Sequence, residues 1–204
     1  MTFDIHALDR WDWDAPNAEE KVQRFQEDLL ELFAASPEAT AFLAEYPEGL
    51  GWASSFLDFG FNYLGMSPSC LTLSAAREIL EDLFPAKISL AEPEDADSTI
   101  PELIAFWQFL KRQFQLKQSD SILKLLEQLK PQFRAMMNDS SRFGLAKSFF
   151  MMGQAAGFDM TSQTGLDAFK DLYNAAQMMQ QAAPSKGFSP LPSTKKSPKK
   201  KRKK

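Results

Sequence analysis

Residues 99–157 read TIPELIAFWQFLKRQFQLKQSDSILKLLEQLKPQFRAMMNDSSRFGLAKSFFMMGQAAG, and their spacing decides the fold class. Ile100, Leu103, Ile104, Trp107, Leu110 and Phe114 recur in steps of three and four, as do Ile122, Leu125, Leu126, Leu129, Phe133 and Met136. A helix repeats every 3.6 residues, so each set forms one apolar stripe while the intervening residues face water. The spacing predicts amphipathic helices over 100–114, 121–137 and 142–156. Pro131 should kink or divide the second, because its ring removes a backbone donor and crowds the preceding turn. Ser98 or Thr99 is placed to cap the first, with Pro101 in its first turn.

The same pattern extends upstream. Asn17 and Glu20 have the spacing of a capping box, with Pro16 beside them, and the helix they open carries Val22, Phe25, Leu29, Leu32 and Phe33 on one face. Ser36-Pro37-Glu38 starts a second helix that turns Phe42, Leu43 and Tyr46 inward and stops at Pro47. Trp52, Phe56, Phe59 and Tyr63 stripe a third, closed by Gly65. Ser74 opens a fourth over 75–84, which Pro85 should end. Residues 86–98 are acidic and contain Pro93, so they read as an exposed connection with a short extended piece at 87–90. Glu92, Glu94, Asp95 and Asp97 lack the glycine and closing glutamate of a calcium loop.

Downstream, residues 138–141 form a turn, and Gly153 or Gly157 closes the helix that follows. Thr161 and Ser162 cap a last helix bearing Leu166, Phe169, Leu172, Tyr173 and Ala176. No strand pattern and no repeat interrupts this. The expectation is an all-α chain: a single compact multi-helix domain of about 7–8 helices over 16–182. It is preceded by a loosely ordered segment, 1–15, and followed by a disordered Lys-rich tail, 183–204.

RFGLAKSFFMMGQAAGFDMTSQTGLDAFKDLYN, residues 142–174, is similar to the end of a family of bacterial all-helical proteins with no assigned activity. LLELFAASPEA, GLGWASSFLDF, FPAKISLAEPED and LIAFWQFLKRQF look like the same family, so the resemblance spans roughly residues 19–174. Its most specific piece is Phe143-Gly144-x-Ala146-Lys147-Ser148, followed by Gly157-Phe158-Asp159. The resemblance implies a helical fold and a bacterial origin, and it transfers no catalytic residue.

Within that motif, Lys147 and Ser148 stand at a helix start, where backbone N–H groups and a cation could meet an anion. The paired glycines of a phosphate-binding loop are absent. The other reading is close helix packing at Gly144 and Ala146, with a lysine whose stem lies on apolar surface.

Composition narrows function mainly by exclusion. The 204 residues include 18 Phe and are 44% hydrophobic, ample for a core. No apolar run approaches the ~18 residues that span a bilayer. The start, MTFDIHALDRWDWD, lacks the basic and apolar regions of a secretory signal, and Trp11 and Trp13 are expected to pack on the body. The single cysteine, Cys70, forms no internal disulfide and fits a reducing, cytoplasmic setting.

Cys70 follows Met-Ser-Pro-Ser with no activating partner and reads as a half-buried thiol. His6 is the only histidine, which leaves no His-rich metal site and no Ser-His-Asp set in the body. No catalytic, cofactor or metal residue is assigned. Glu27, Asp28 and Glu31 read as a solvated face. The pairs Met136-Met137 and Met151-Met152 read as core, with Met178 and Met179 partly exposed at the last helix's end.

The net charge of −4 conceals a division. Nine of the 23 Lys/Arg lie beyond Pro184, where there is no Asp or Glu, so the first 183 residues carry 14 basic against 27 acidic residues, a net of −13. Residues 183–204 read APSKGFSPLPSTKKSPKKKRKK, rich in proline and serine and without a periodic apolar face, the composition of a disordered segment.

Lys195, Lys196, Lys199, Lys200, Lys201, Arg202, Lys203 and Lys204 form the candidate polyanion-binding set, acting through counterion release with little sequence preference. Ser197-Pro198-Lys199-Lys200 resembles the SPKK elements of histone-like tails, which favour the minor groove, and residues 198–203 resemble a nuclear import signal. The expected partners are DNA, RNA or a ribosome through the tail, and a protein through the helical body. Two functions remain open. One is a non-catalytic binding or adaptor module. The other is an enzyme or small-ligand protein whose pocket is lined by Trp52, Trp107 and phenylalanines, the tail serving only solubility or localisation.

Overall fold

Pro131 divides the chain where its missing N–H requires. In the computed structural model, which describes residues 3–9 and 16–182, one helix ends at Leu129 and the next begins at Phe133. Among the described residues the chain is all-helical, with nine helices and no strand. These are α1 (Ala18–Ala34), α2 (Pro37–Glu45), α3 (Trp52–Leu64), α4 (73–87), α5 (Thr99–Phe114), α6 (Ser119–Leu129), α7 (Phe133–Met137), α8 (Leu145–Ala155) and α9 (Gln163–Ala182). Short 3-10 turns occur at Pro93–Ser98 and Ser140–Arg142.

Several ends follow from local chemistry. The Ser36 hydroxyl accepts the Ala39 N–H at 3.2 Å, with Pro37 in the first turn of α2. Gly65 closes α3 in the left-handed region, at φ 61°, where a glycine carries no Cβ penalty. The Ser162 hydroxyl accepts from Gly165 N–H at the start of α9.

Other ends differ from expectation. Asn17 precedes α1 without a side-chain cap, because its ψ of 22° is not the extended value that turns the side chain back onto the helix. Thr72, not Ser74, caps α4: its hydroxyl accepts the Ala75 N–H at 3.1 Å. Nor does Pro85 end α4. The helix runs Leu73–Glu78, widens to a π turn at Ile79–Leu83, and continues through Phe84–Lys87. Proline cannot bond the Glu81 carbonyl four residues back. Arg142 Nη1 donates to that oxygen instead, at 2.9 Å. Lys87 ends α4 and Ile88 beyond it is extended, with φ −86° and ψ 118°, within the stretch expected to be extended at 87–90, and Pro93–Ser98 is a 3-10 turn held by a Glu92/Asp95 capping box.

By density of internal contacts the chain divides into two units, Met1–Met152 and Gly153–Lys204. In the first, α5 is the central strut and packs on α2, α3 and α6. Leu103, Phe106, Trp107 and Leu110 are fully enclosed. Aromatic rings continue the packing: Phe33 meets Phe106 at 5.1 Å, and Phe56 meets Trp107 edge to face at 6.1 Å and 89°. Each such buried side chain contributes about 1.5–3 kcal/mol of apolar transfer free energy.

Residues 3–9, expected to be loosely ordered, pack instead. Ile5 and Leu8 are buried, and the Phe3 ring lies 5.0 Å from Phe25. Leu32 and Tyr63 sit at the edges of their stripes and are exposed. The second unit has its own small cluster, in which Met160 and Phe169 are buried and Phe158 lies 5.4 Å from Phe169.

Candidate functional site

The first turn of α3 has no capping side chain of its own, because Gly51 stands at its N-cap. Glu102, from the first turn of α5, supplies the cap. Its carboxylate accepts the Gly51 N–H at 3.0 and 3.1 Å and the Ala53 N–H at 2.8 Å. The side chain is fully enclosed. Burial pushes the Glu102 pKa up, and the backbone N–H bonds offset only part of that rise. The positive end of the α3 dipole faces the same carboxylate.

Beside this cap lies a pocket of about 660 Å³, bounded by the α2–α3 connection and residues 88–98. Half-buried Leu50, Trp52, Ile88 and Leu90 form its apolar floor, with Tyr46 at one side. Exposed Glu48, Glu94, Asp95 and Asp97 form its rim, and none of the lining residues is basic. The Trp52 indole N–H donates to Ser98 Oγ at 3.1 Å, which fixes the ring against the start of α5. Arg134 of α7 pairs with Glu94 and, at 3.1 Å, with Asp97. Asp95 accepts the N–H groups of Ala91 and Glu92, both at 3.0 Å. The pocket therefore combines apolar surface with a negative field, a combination suited to a cationic group on an apolar stem.

Trp107, expected beside Trp52 in a pocket, is fully buried in the core. Glu102 went unnoticed in the sequence although a signal was present. It stands three residues after Thr99 and four before Phe106, on the face that α5 buries.

Lys147 is 4% exposed and directed inward. Its ammonium donates to the carbonyls of Pro85 at 2.9 Å and Met137 at 3.2 Å, near the ends of α4 and α7. The Phe143 ring centroid lies 3.9 Å away. Burial lowers the Lys147 pKa to about 8. The Ser148 hydroxyl turns back to the Phe143 carbonyl at 3.5 Å. Gly144 donates to the Ala86 carbonyl at 2.9 Å, and a Cβ at Gly144 would lie the same distance from that oxygen.

The motif thus holds α8 against α4 and α7. An anion contact was one of two readings of Lys147 and Ser148, the other being close helix packing; both side chains meet carbonyl oxygens, and Lys147 also lies over the Phe143 ring.

Asp9 is engaged locally by side chains around it. Burial raises the Asp9 carboxyl, but hydrogen bonds from Ser69, His6 and Ser67 outweigh it and hold the pKa below the usual range. Cys70, expected half-buried, is exposed. Among the described residues no three or more His, Cys, Asp or Glu side chains are grouped as a metal site requires. No helix among them is long and apolar enough to cross a membrane. The polyanion-binding set, Lys195 through Lys204, lies outside the described residues, as do Trp11 and Trp13. No protein-family model, curated protein or solved structure matches the chain.

Proposed function

We propose that this protein is a non-catalytic helical binding module whose basic tail contacts a polyanion, either DNA, RNA or a ribosome. The observation that carries this reading is the charge division of the chain, with nine basic and no acidic residues beyond Pro184 against a net of −13 before it. Phosphate backbones attract such a run through counterion release, and the acidic body repels them, so the tail is the point of contact. The enclosed charges support the same reading. Glu102 and Lys147 are committed to backbone groups of helix ends, which is structural work.

The test is fluorescence anisotropy of labelled duplex DNA and single-stranded RNA with the full chain and with a variant in which all eight Lys/Arg of 195–204 are Gln. Binding by the first and not the second supports the reading. Equal binding by both, or none by either at low salt, removes it.

The second reading, a small-ligand pocket, has one observation in its favour: Trp52 does line a pocket, together with Tyr46. A small organic cation that quenches or enhances tryptophan emission at micromolar concentration, and no longer does so in Trp52→Phe, would favour it.

A further inference from the structure

We propose that the groove between segment 3–9 and α1 is a self-association surface, on which α1 of a second copy docks antiparallel about a two-fold axis. The groove has a volume of about 790 Å³ and follows one flank of α1. Buried Leu8 and Phe25 form its floor, with half-buried Phe3 and exposed Ala7, Leu32 and Ala35 around them. Leu32 is 40% exposed, which leaves apolar area open to water beside the charges described next.

Those charges select the occupant. Lys21, Arg24, Asp28 and Glu31 follow one another in steps of three and four, which aligns them in one exposed stripe about 15 Å long. Their signs run plus, plus, minus, minus. Lys21 and Glu31 lie five residues either side of Gln26, and Arg24 and Asp28 lie two either side. A two-fold axis at the level of Gln26 therefore sets Lys21 of each copy opposite Glu31 of the other, and Arg24 opposite Asp28. An isologous contact requires this self-complementarity, because residue i meets j while j meets i. The two α1 dipoles also oppose one another in this arrangement.

Two further charges touch the groove without breaking the pattern. Asp4 lines it, and its carboxylate accepts the His6 N–H at 2.9 Å. Arg24 pairs with Glu20 at 3.5 Å along its own helix, an exposed contact of little weight that a facing Asp28 can share. The pocket beside Glu102 has no such symmetry. Its charged lining residues are all acidic, so a two-fold contact there would set carboxylate against carboxylate.

The inference stands apart from polyanion binding and is tested without nucleic acid, by sedimentation equilibrium of the full chain. The expected result is a monomer–dimer equilibrium at low salt that weakens several-fold at about 0.5 M salt, because exposed pairs are screened. An acidic variant, Lys21→Glu/Arg24→Glu, and a basic variant, Asp28→Lys/Glu31→Lys, each give the stripe a single sign. Alone, each should dimerise at least about tenfold more weakly than the parent, since like charges then face one another. Mixed in equal amounts, the two should form a heterodimer at least as tight as the parent dimer. The exchange Arg24→Glu/Asp28→Arg keeps the net charge and every facing pair, so it should dimerise as the parent does. A parent that is monomeric at low salt and about 200 µM protein would overturn the proposal. So would a dimer that persists unchanged in either single-sign variant, or an exchange variant that does not associate.

Discussion

Glu102 and Lys147 are the two charged side chains that the described residues enclose, and each lies at a helix end of the sign it needs. The carboxylate faces the N–H groups of α3, and the ammonium faces carbonyls of α4 and α7. Glu102→Ala strips the cap and leaves the buried Ala53 N–H without its acceptor, so it should destabilise the fold by about 1–3 kcal/mol. Glu102→Gln retains one accepting oxygen and should cost about 1 kcal/mol. Urea unfolding midpoints of the two variants against the parent measure both.

Lys147 carries the opposite charge and a distinct pH signature. Its pKa falls to about 8 in the folded chain, from 10.5 unfolded, so between those values the unfolded chain binds the extra proton. Stability contributed by this group is therefore flat below pH 8 and rises as pH increases toward 10.5. The neutral amine keeps two N–H donors for two carbonyls, so the clamp survives deprotonation. The parent should gain stability relative to Lys147→Met between pH 7.5 and 9.5 in urea titrations. A parent that loses stability relative to Lys147→Met over that range would contradict the assignment.

The helices show where sequence reading succeeds and where it stops. The stripes of α5 and α6, the break at Pro131, the cap at Ser36 and the stop at Gly65 are all set within a few residues, and all are legible. The end of α4 is not. It depends on Arg142, 61 residues beyond Glu81, accepting the task of bonding a carbonyl that Pro85 cannot reach. The cap of α3 is likewise non-local, since Glu102 lies 51 residues from Gly51.

The same limit applies to the candidate site. Trp52 was identifiable from its stripe, but the acidic rim reads in sequence only as an exposed connection, because the chain's return past α3 is what gives it a floor. The F-G-x-A-K-S motif illustrates a different limit. Its residue types suit both an anion site and a tight helix contact, and only the position of the α4 and α7 carbonyls separates them. At this scale Gly144→Ala is the decisive change: its Cβ would lie 2.9 Å from the Ala86 carbonyl oxygen, so the α4–α8 contact must open. The expected loss is about 1–3 kcal/mol, read from thermal unfolding of the variant.

Across the whole molecule the governing feature is the separation of charge between an acidic body and a basic end. On the proposed reading, the acidic body repels nucleic acid from its own surface, and the basic run binds with no sequence preference beyond what its short SPKK-like element lends it. The most direct measurement is the salt dependence of duplex DNA binding by the full chain. Each phosphate neutralised contributes a slope near −0.9 in log K against log salt, so eight basic residues, half to fully engaged, give about −4 to −7. Between 50 and 200 mM salt the affinity should fall by about 10²- to 10⁴-fold. A slope in that range, lost when the eight residues are Gln, is the predicted result. A slope shallower than about −1, or no binding at 50 mM salt, would contradict the assignment of the tail as a polyanion contact.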